Sequence, residues 1–138
     1  MPTTADLPKA ARTELVGLLK ANAGVVALIP ALRLYGPEPP ATPVWPWGYV
    51  ASPIEGPFVA ACMDGSSLSV TVHGFAKGPG DDAASAIGNA FKRALNGREI
   101  VLDTAQAIVE WQQTQTIRDS AEAGSYHVIC RFNVDISA

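Results

Sequence analysis

Two histidines, two cysteines, a cluster of serines and one pair of adjacent aspartates are the residues here with chemistry to offer. His73 ends the alternating run that starts at Leu68, and His127 lies in a second such run, so each falls on the more polar side of a half-buried strand. On neighbouring strands the two could supply part of a metal site. A structural site needs about four ligands, however, and no other ligand type clusters beside either histidine. Two exposed strand histidines are the simpler expectation. Asp81-Asp82 follows a Pro-Gly turn and precedes an Ala-rich stretch, which suits a helix cap and dipole complement better than an acid–base pair. No motif places a base near Ser66, Ser67 or Ser69. The glycines of HGFAKGPGDD suggest a phosphate loop, but the Lys-Ser/Thr ending of a P-loop and the GxGxxG spacing are both missing. Cys62 and Cys130 form no CxxC pair and read as buried free thiols in a reducing compartment. The expectation is a protein that is not an enzyme, with no catalytic residue, no metal and no cofactor.

The elements that would carry these residues follow from periodicity. Asp6 and Pro8 open a helix whose positions Leu7, Ala11, Leu15, Leu18, Leu19 and Asn22 keep helical spacing, with Gly24 as its stop. GVVALIP is one helical turn or a tucked loop, and Leu32 to Tyr35 is a brief strand. Val44 to Ser52 reads as an edge strand because it contains Pro46. SPIEGP is turn chemistry, Phe58 to Met63 a strand, and Asp64-Gly65 a hairpin turn. Ser66 to Ala76 alternates, with Leu68, Val70 and Val72 on one side. A second helix starts at Asp81 or Asp82, buries Ala84, Ile87, Phe91, Ala94 and Leu95, and ends at Gly97. Glu99 to Leu102, Ala105 to Arg118 and the run from Tyr126 to Ile136 are strands. The polar half-strand WQQTQT and the turn RDSAEAGS read as a hairpin that projects beyond the core. The fold class is therefore α+β: two helices packed on one face of a mostly antiparallel sheet, with a projecting β-hairpin, in one domain spanning 1–138.

Composition narrows the partners. A net charge of −3 without any Lys/Arg run points away from a basic nucleic-acid groove. No apolar run approaches the roughly 20 residues that span a bilayer, so no membrane contact is expected. The N-terminus lacks a signal-peptide core, which suggests a cytoplasmic protein. The segment YGPEPPATPVWPWGYV, residues 35–50, is unusual because it combines five prolines with Trp45, Trp47 and two tyrosines. If Trp45 and Trp47 alternate along a strand they share one face. That face is either core or, in part, a subunit contact, since tryptophans anchor interfaces.

In order and spacing the motifs resemble those of the tail-completion, or tail-terminator, proteins of long-tailed phages and gene transfer agents, over nearly the whole chain. The N-terminal helix and apolar turn lead to Arg33 and Tyr35, then Gly36-Pro37. The strand opening Trp45-Pro46-Trp47 with Tyr49-Val50 follows, and then Val70-Thr71-Val72-His73-Gly74-Phe75. The Ala-rich helix, the strand REIVL, the Arg118-Asp119 turn and Arg131-Phe132 complete the series. The dense WPWGY and the Ala-Lys after Phe75 depart from the family pattern.

The resemblance implies a structural virion protein that forms a homo-oligomeric ring, typically a hexamer. Such a ring caps the head-proximal end of the tail tube, ends its polymerisation and offers a surface to the head-completion or connector protein. DNA would pass through the lumen without specific binding, and the ring would be assembled in the bacterial host cytoplasm. Interface residues expected on this basis are Tyr35, Trp45, Trp47, Tyr49, Gln113, Gln115, Arg118 and Asp119. The alternatives are a head-completion stopper or tail-tube component and, from a different class, a small ligand-binding or hydrolytic α+β domain using His73 and His127.

Overall fold

The computed structural model describes residues 6–60, 63–119 and 123–137, with only the backbone at 57–60 and 63–65. Helix α1 (Leu7–Ala21) begins as its sequence dictates: Asp6 accepts the Lys9 N–H at 3.1 Å, and Pro8 sits in the first turn. Its buried stripe is Leu7, Ala11, Leu15 and Leu19. The helix stops at Asn22 rather than at Gly24. Asn22 leaves helical geometry, and its side chain accepts the Val25 N–H at 3.0 Å, which starts the single turn α2 (Ala23–Val26) with Gly24 inside it. An asparagine that caps the next helix outranks a nearby glycine as a boundary. A 3₁₀ turn (Ala31–Arg33) then leads into β1 (Leu34–Tyr35).

β2 (Trp47–Val50) is shorter than its apolar run, and Pro46 lies ahead of it. It is not an edge, because β1 pairs with it in parallel. β3 (Ile54–Ala60) and β4 (Met63–Lys77) form the next hairpin. Two expected turns are strand instead. Ile54 to Pro57 pair with Ser69 to Ser66, and Asp64 and Gly65 lie opposite Val59 and Phe58. Pro57 is tolerated because β3 pairs only with β4, leaving its other edge free. The connection falls at residues 61–62, so Cys62 lies outside the described residues.

α3 (Asp82–Leu95) buries the expected face. Asp81 occupies the cap position without a side-chain capping bond, Asp82 complements the dipole, and Gly97 follows the helix at φ 79°. β5 (Glu99–Leu102), β6 (Ala105–Arg118) and β7 (Ser125–Ser137) complete the sheet in the order β1-β2-β4-β7-β6-β5. All pairings except β1–β2 are antiparallel. The hairpin that projects is β3–β4. Its pairs Val59–Asp64 and Ala60–Met63 lie beyond the last β4–β7 pair, Gly65–Ser137. The β6–β7 hairpin, by contrast, ends flush with the sheet. β4 accompanies β7 as far as Ser125, and the Gly78 N–H donates to the Gly124 carbonyl at 3.0 Å.

One sheet face carries Leu68, Val70, Val72, Val128, Cys130, Phe132 and Val134, all fully buried in a core shared with α1 and α3. Close packing requires glycine at two paired positions, against the neighbouring strand at one and against α3 at the other. Gly48 and Gly74 lie opposite each other. A Cβ on Gly48 would stand 2.8 Å from the His73 carbonyl oxygen, and one on Gly74 would stand 2.6 Å from Ile87 Cγ2. Gly36 has nothing within 4 Å of that position. Gly48→Ala is expected to destabilise the fold by about 1–3 kcal/mol because the blocking atom is backbone, whereas Gly36→Ala should leave urea midpoints nearly unchanged. Equal midpoints for the two variants would contradict this packing.

Candidate assembly surface

Among the described residues no helix covers the second sheet face, and pairing register decides what it displays. Trp47 pairs with Phe75, which pairs with His127, which pairs with Ile117. The next row runs Tyr49, His73, Ile129 and Gln115. Cross-strand neighbours on one face stand close enough to stack. Trp47 lies on Phe75 with centroids 4.1 Å apart and planes 9° from parallel, and Phe75 lies on His127 at 4.2 Å and 13°. Tyr49 stacks on His73 at 4.5 Å and 8°. The first row thus forms a continuous flat ladder of rings across three strands.

His73 Nδ1 and His127 Nε2 share a hydrogen bond of 2.7 Å, which joins the rows diagonally. The histidines are therefore half-buried partners of one another rather than exposed. Burial, the neighbouring His127 and then Arg131 push His73 down to about 4. Burial also lowers His127, partly offset by Asp119. Tyr49 is pushed up by burial. Both imidazoles are held neutral at pH 7, the state in which one nitrogen donates and the other accepts. Among the described residues no group of three or more His, Cys, Asp or Glu side chains is placed to hold a metal ion. Cys130 is buried in the core, donating to the Gly88 carbonyl at 3.5 Å.

Four of the expected interface residues converge. Tyr35 and Trp45 lean on Trp47 at 6.2 and 6.5 Å, and Tyr49 stacks on it at 5.8 Å. Trp47 is consequently only 8% exposed, and its indole N–H has no hydrogen-bond partner among the described residues. It closes a small second core on the helix-free face and offers a neighbour little surface. Trp45 stays half-buried. Its ring carries Lys77 Nζ 5.0 Å above it, and its carbonyl accepts from Arg33 Nη1 at 3.1 Å.

The other four are separated from this cluster. A bulge between Trp111 and Gln113 shifts the alternation of β6. Gln113 and Gln115 therefore join the bare face two strands away from the aromatics, opposite Arg131 and Ile129. Arg118 points to the helix side with Tyr126, and Asp119 sits at the turn near His127. Sequence reasoning missed Phe75 and the two histidines as parts of the cluster. The signal was present in the spacing of His73 and Phe75 on one face, but only the β4–β7 register places His127 beside them.

The described residues thus form a one-sided helical layer whose bare face presents stacked rings and polar strand residues. The chain belongs to the tail completion protein gp17 family, whose model matches residues 13–137. It is thus a structural protein of phage-type tails. No curated protein matches it in sequence. A chain from a solved structure described as the virion of a native gene transfer agent particle superposes with a TM-score of 0.82. That likeness comes at 16% identity and covers 98% of this chain and 100% of the other. A further solved chain shares the fold with a TM-score of 0.58 at 14% identity, covering 97% and 96%.

Two outcomes follow from the ladder. Below pH about 6.5 the unfolded chain takes up protons that the folded pair refuses. Stability should therefore fall as pH is lowered from about 6.5 towards about 4. The double variant His73→Phe/His127→Phe should lack that part of the slope in urea titrations across this range. Trp47→Ala should cost about 3–5 kcal/mol, as for a truncated core aromatic. Trp45→Ala should cost clearly less in the same unfolding assay.

Proposed function

We propose that this chain is a tail terminator: an oligomeric ring, hexameric by family resemblance, that caps the head-proximal end of a tail tube. The ring ends tube growth and presents a surface to the head-completion protein. Membership of the tail completion family over residues 13–137 carries the reading. Full-length likeness of fold to a chain of a gene transfer agent virion supports it.

The physics of the surface agrees. A closed ring needs heterologous contacts between two different surfaces of each copy. The sheet has two unlike ends: β1–β2, flanked by a proline-rich aromatic segment, and β5–β6, where β5 covers only Ala105 to Ile108 of β6. DNA affinity comes largely from Lys/Arg contacts with phosphates. A net charge of −3 suits a lumen that lets DNA slide past without gripping it. The partners are then other copies of this chain, the tube protein and the connector side of the head. The assembled protein belongs to the particle.

Tube subunits polymerised with and without this protein provide the test. The expected result is shorter tubes bearing this chain at one end in electron micrographs. Unchanged tube length would overturn the terminator reading, and long tubes grown from this chain alone would make it a tube component.

A further inference from the structure

The large apolar side chains left exposed among the described residues divide between the two ends of the sheet. Leu28, Leu32 and Val44, exposed by 39%, 88% and 59%, flank β1 and β2, with Ile54 on the neighbouring β3. Val101, Ile108 and Ile117 lie on β5 and β6. Isolated exposed apolar residues are ordinary, but grouping at opposite edges is not random scatter.

The two groups differ in shape and charge. At the β2 end, Leu28, Trp45, Pro46, Ala86 and Ile87 line an apolar crevice of about 310 Å³, and Lys77 is the charged residue of its lining. At the β5–β6 end, Ile108 lies directly opposite Glu99 on one side and Asp135 on the other. Glu110 follows two residues later on the same strand face. Carboxylates therefore surround the apolar centre at this edge, and Asp135 is held in place by the Ser67 hydroxyl at 2.9 Å.

We propose that the β5–β6 edge of one copy docks into the Trp45 crevice of the next, with Val101 and Ile108 meeting the crevice and Glu99 facing Lys77. This deepens the ring reading and rests on it. A two-fold pairing of either patch with itself would set carboxylates against carboxylates, or lysine against lysine, which opposes association. Pairing the unlike patches removes that repulsion and makes the contact head-to-tail, as a ring requires.

A benzophenone amino acid in place of Val101, photolysed in purified particles, tests the contact. The expected product is a cross-linked dimer of this chain, attached within residues 28–46 or 76–87 of the second copy. Attachment elsewhere on a second copy overturns the docking and leaves the ring intact. Absence of any self-cross-link in particles that contain the chain overturns the docking, while the tube-length test above decides the ring. Charge reversal gives an independent readout. Lys77→Glu or Glu99→Lys alone should lower incorporation into particles about tenfold, and the double reversal should recover it to within about twofold. Full incorporation of both single variants, with unchanged melting temperatures, counts against the docking.

Discussion

Thirteen consecutive pairs join β4 to β7, and the rest of the molecule depends on their register. On one side of that ribbon the pairing lines up Val70 with Phe132 and Val72 with Cys130, giving α3 an apolar floor. On the other side the same register brings Phe75 beside His127 and sets His73 within hydrogen-bond reach of it. A slip of one residue would exchange the two sides, because side chains alternate along a strand. Core and bare face are therefore specified together, by one set of backbone bonds.

The bare face resolves a conflict between solubility and order. Flat stacked rings gain roughly 0.5–1.5 kcal/mol per pair beyond the area they bury. Here they hold a sheet face that has no helix against it. Neutral imidazoles act within this stack as flat, hydrogen-bonding rings of modest size. They extend the aromatic row without leaving another tryptophan in water. Polar Gln113 and Gln115 occupy the far side of the same face, so the stacked rings stay confined to the β2–β4–β7 end.

Much of the fold was legible from local patterns. Asp6 and the Leu7–Leu19 stripe specify α1, the spacing from Ala84 to Leu95 specifies α3, and the alternation from Tyr126 to Ile136 specifies β7. One failure is local, the end of α1 at Asn22 rather than Gly24, and the others originate in non-local pairing. Asp64-Gly65 has the chemistry of a turn, yet it is absorbed into β4 because β3 extends through Pro57 as an edge strand. The polar half of β6 reads in sequence as a projecting hairpin. Polarity there reflects an uncovered strand, while β4 supports its partner from the other side. For the surface residues, Tyr35, Trp45, Trp47 and Tyr49 are close in sequence and were found together. The contribution of His127 to their cluster comes from 78 positions beyond Tyr49 (127 − 49), and no local signal reports it.

The bulge between Trp111 and Gln113 has a bearing on how such a chain can diverge. It places the small Thr114, rather than a glutamine, under Gly88, where a Cβ would already meet the threonine methyl at 3.1 Å. It also turns Ile117 towards His127. Within this strand, substitutions and deletions are mutations of different kinds. A changed codon alters one side chain, and loss of the codon for Gln112 would remove the bulge while keeping every later pairing, whereas loss of the codon for Thr116 would set Ile117 opposite Val128 and exchange inside and outside for the residues after it. The bulge is thus the one place in this part of β6 where length can drift without turning the strand over.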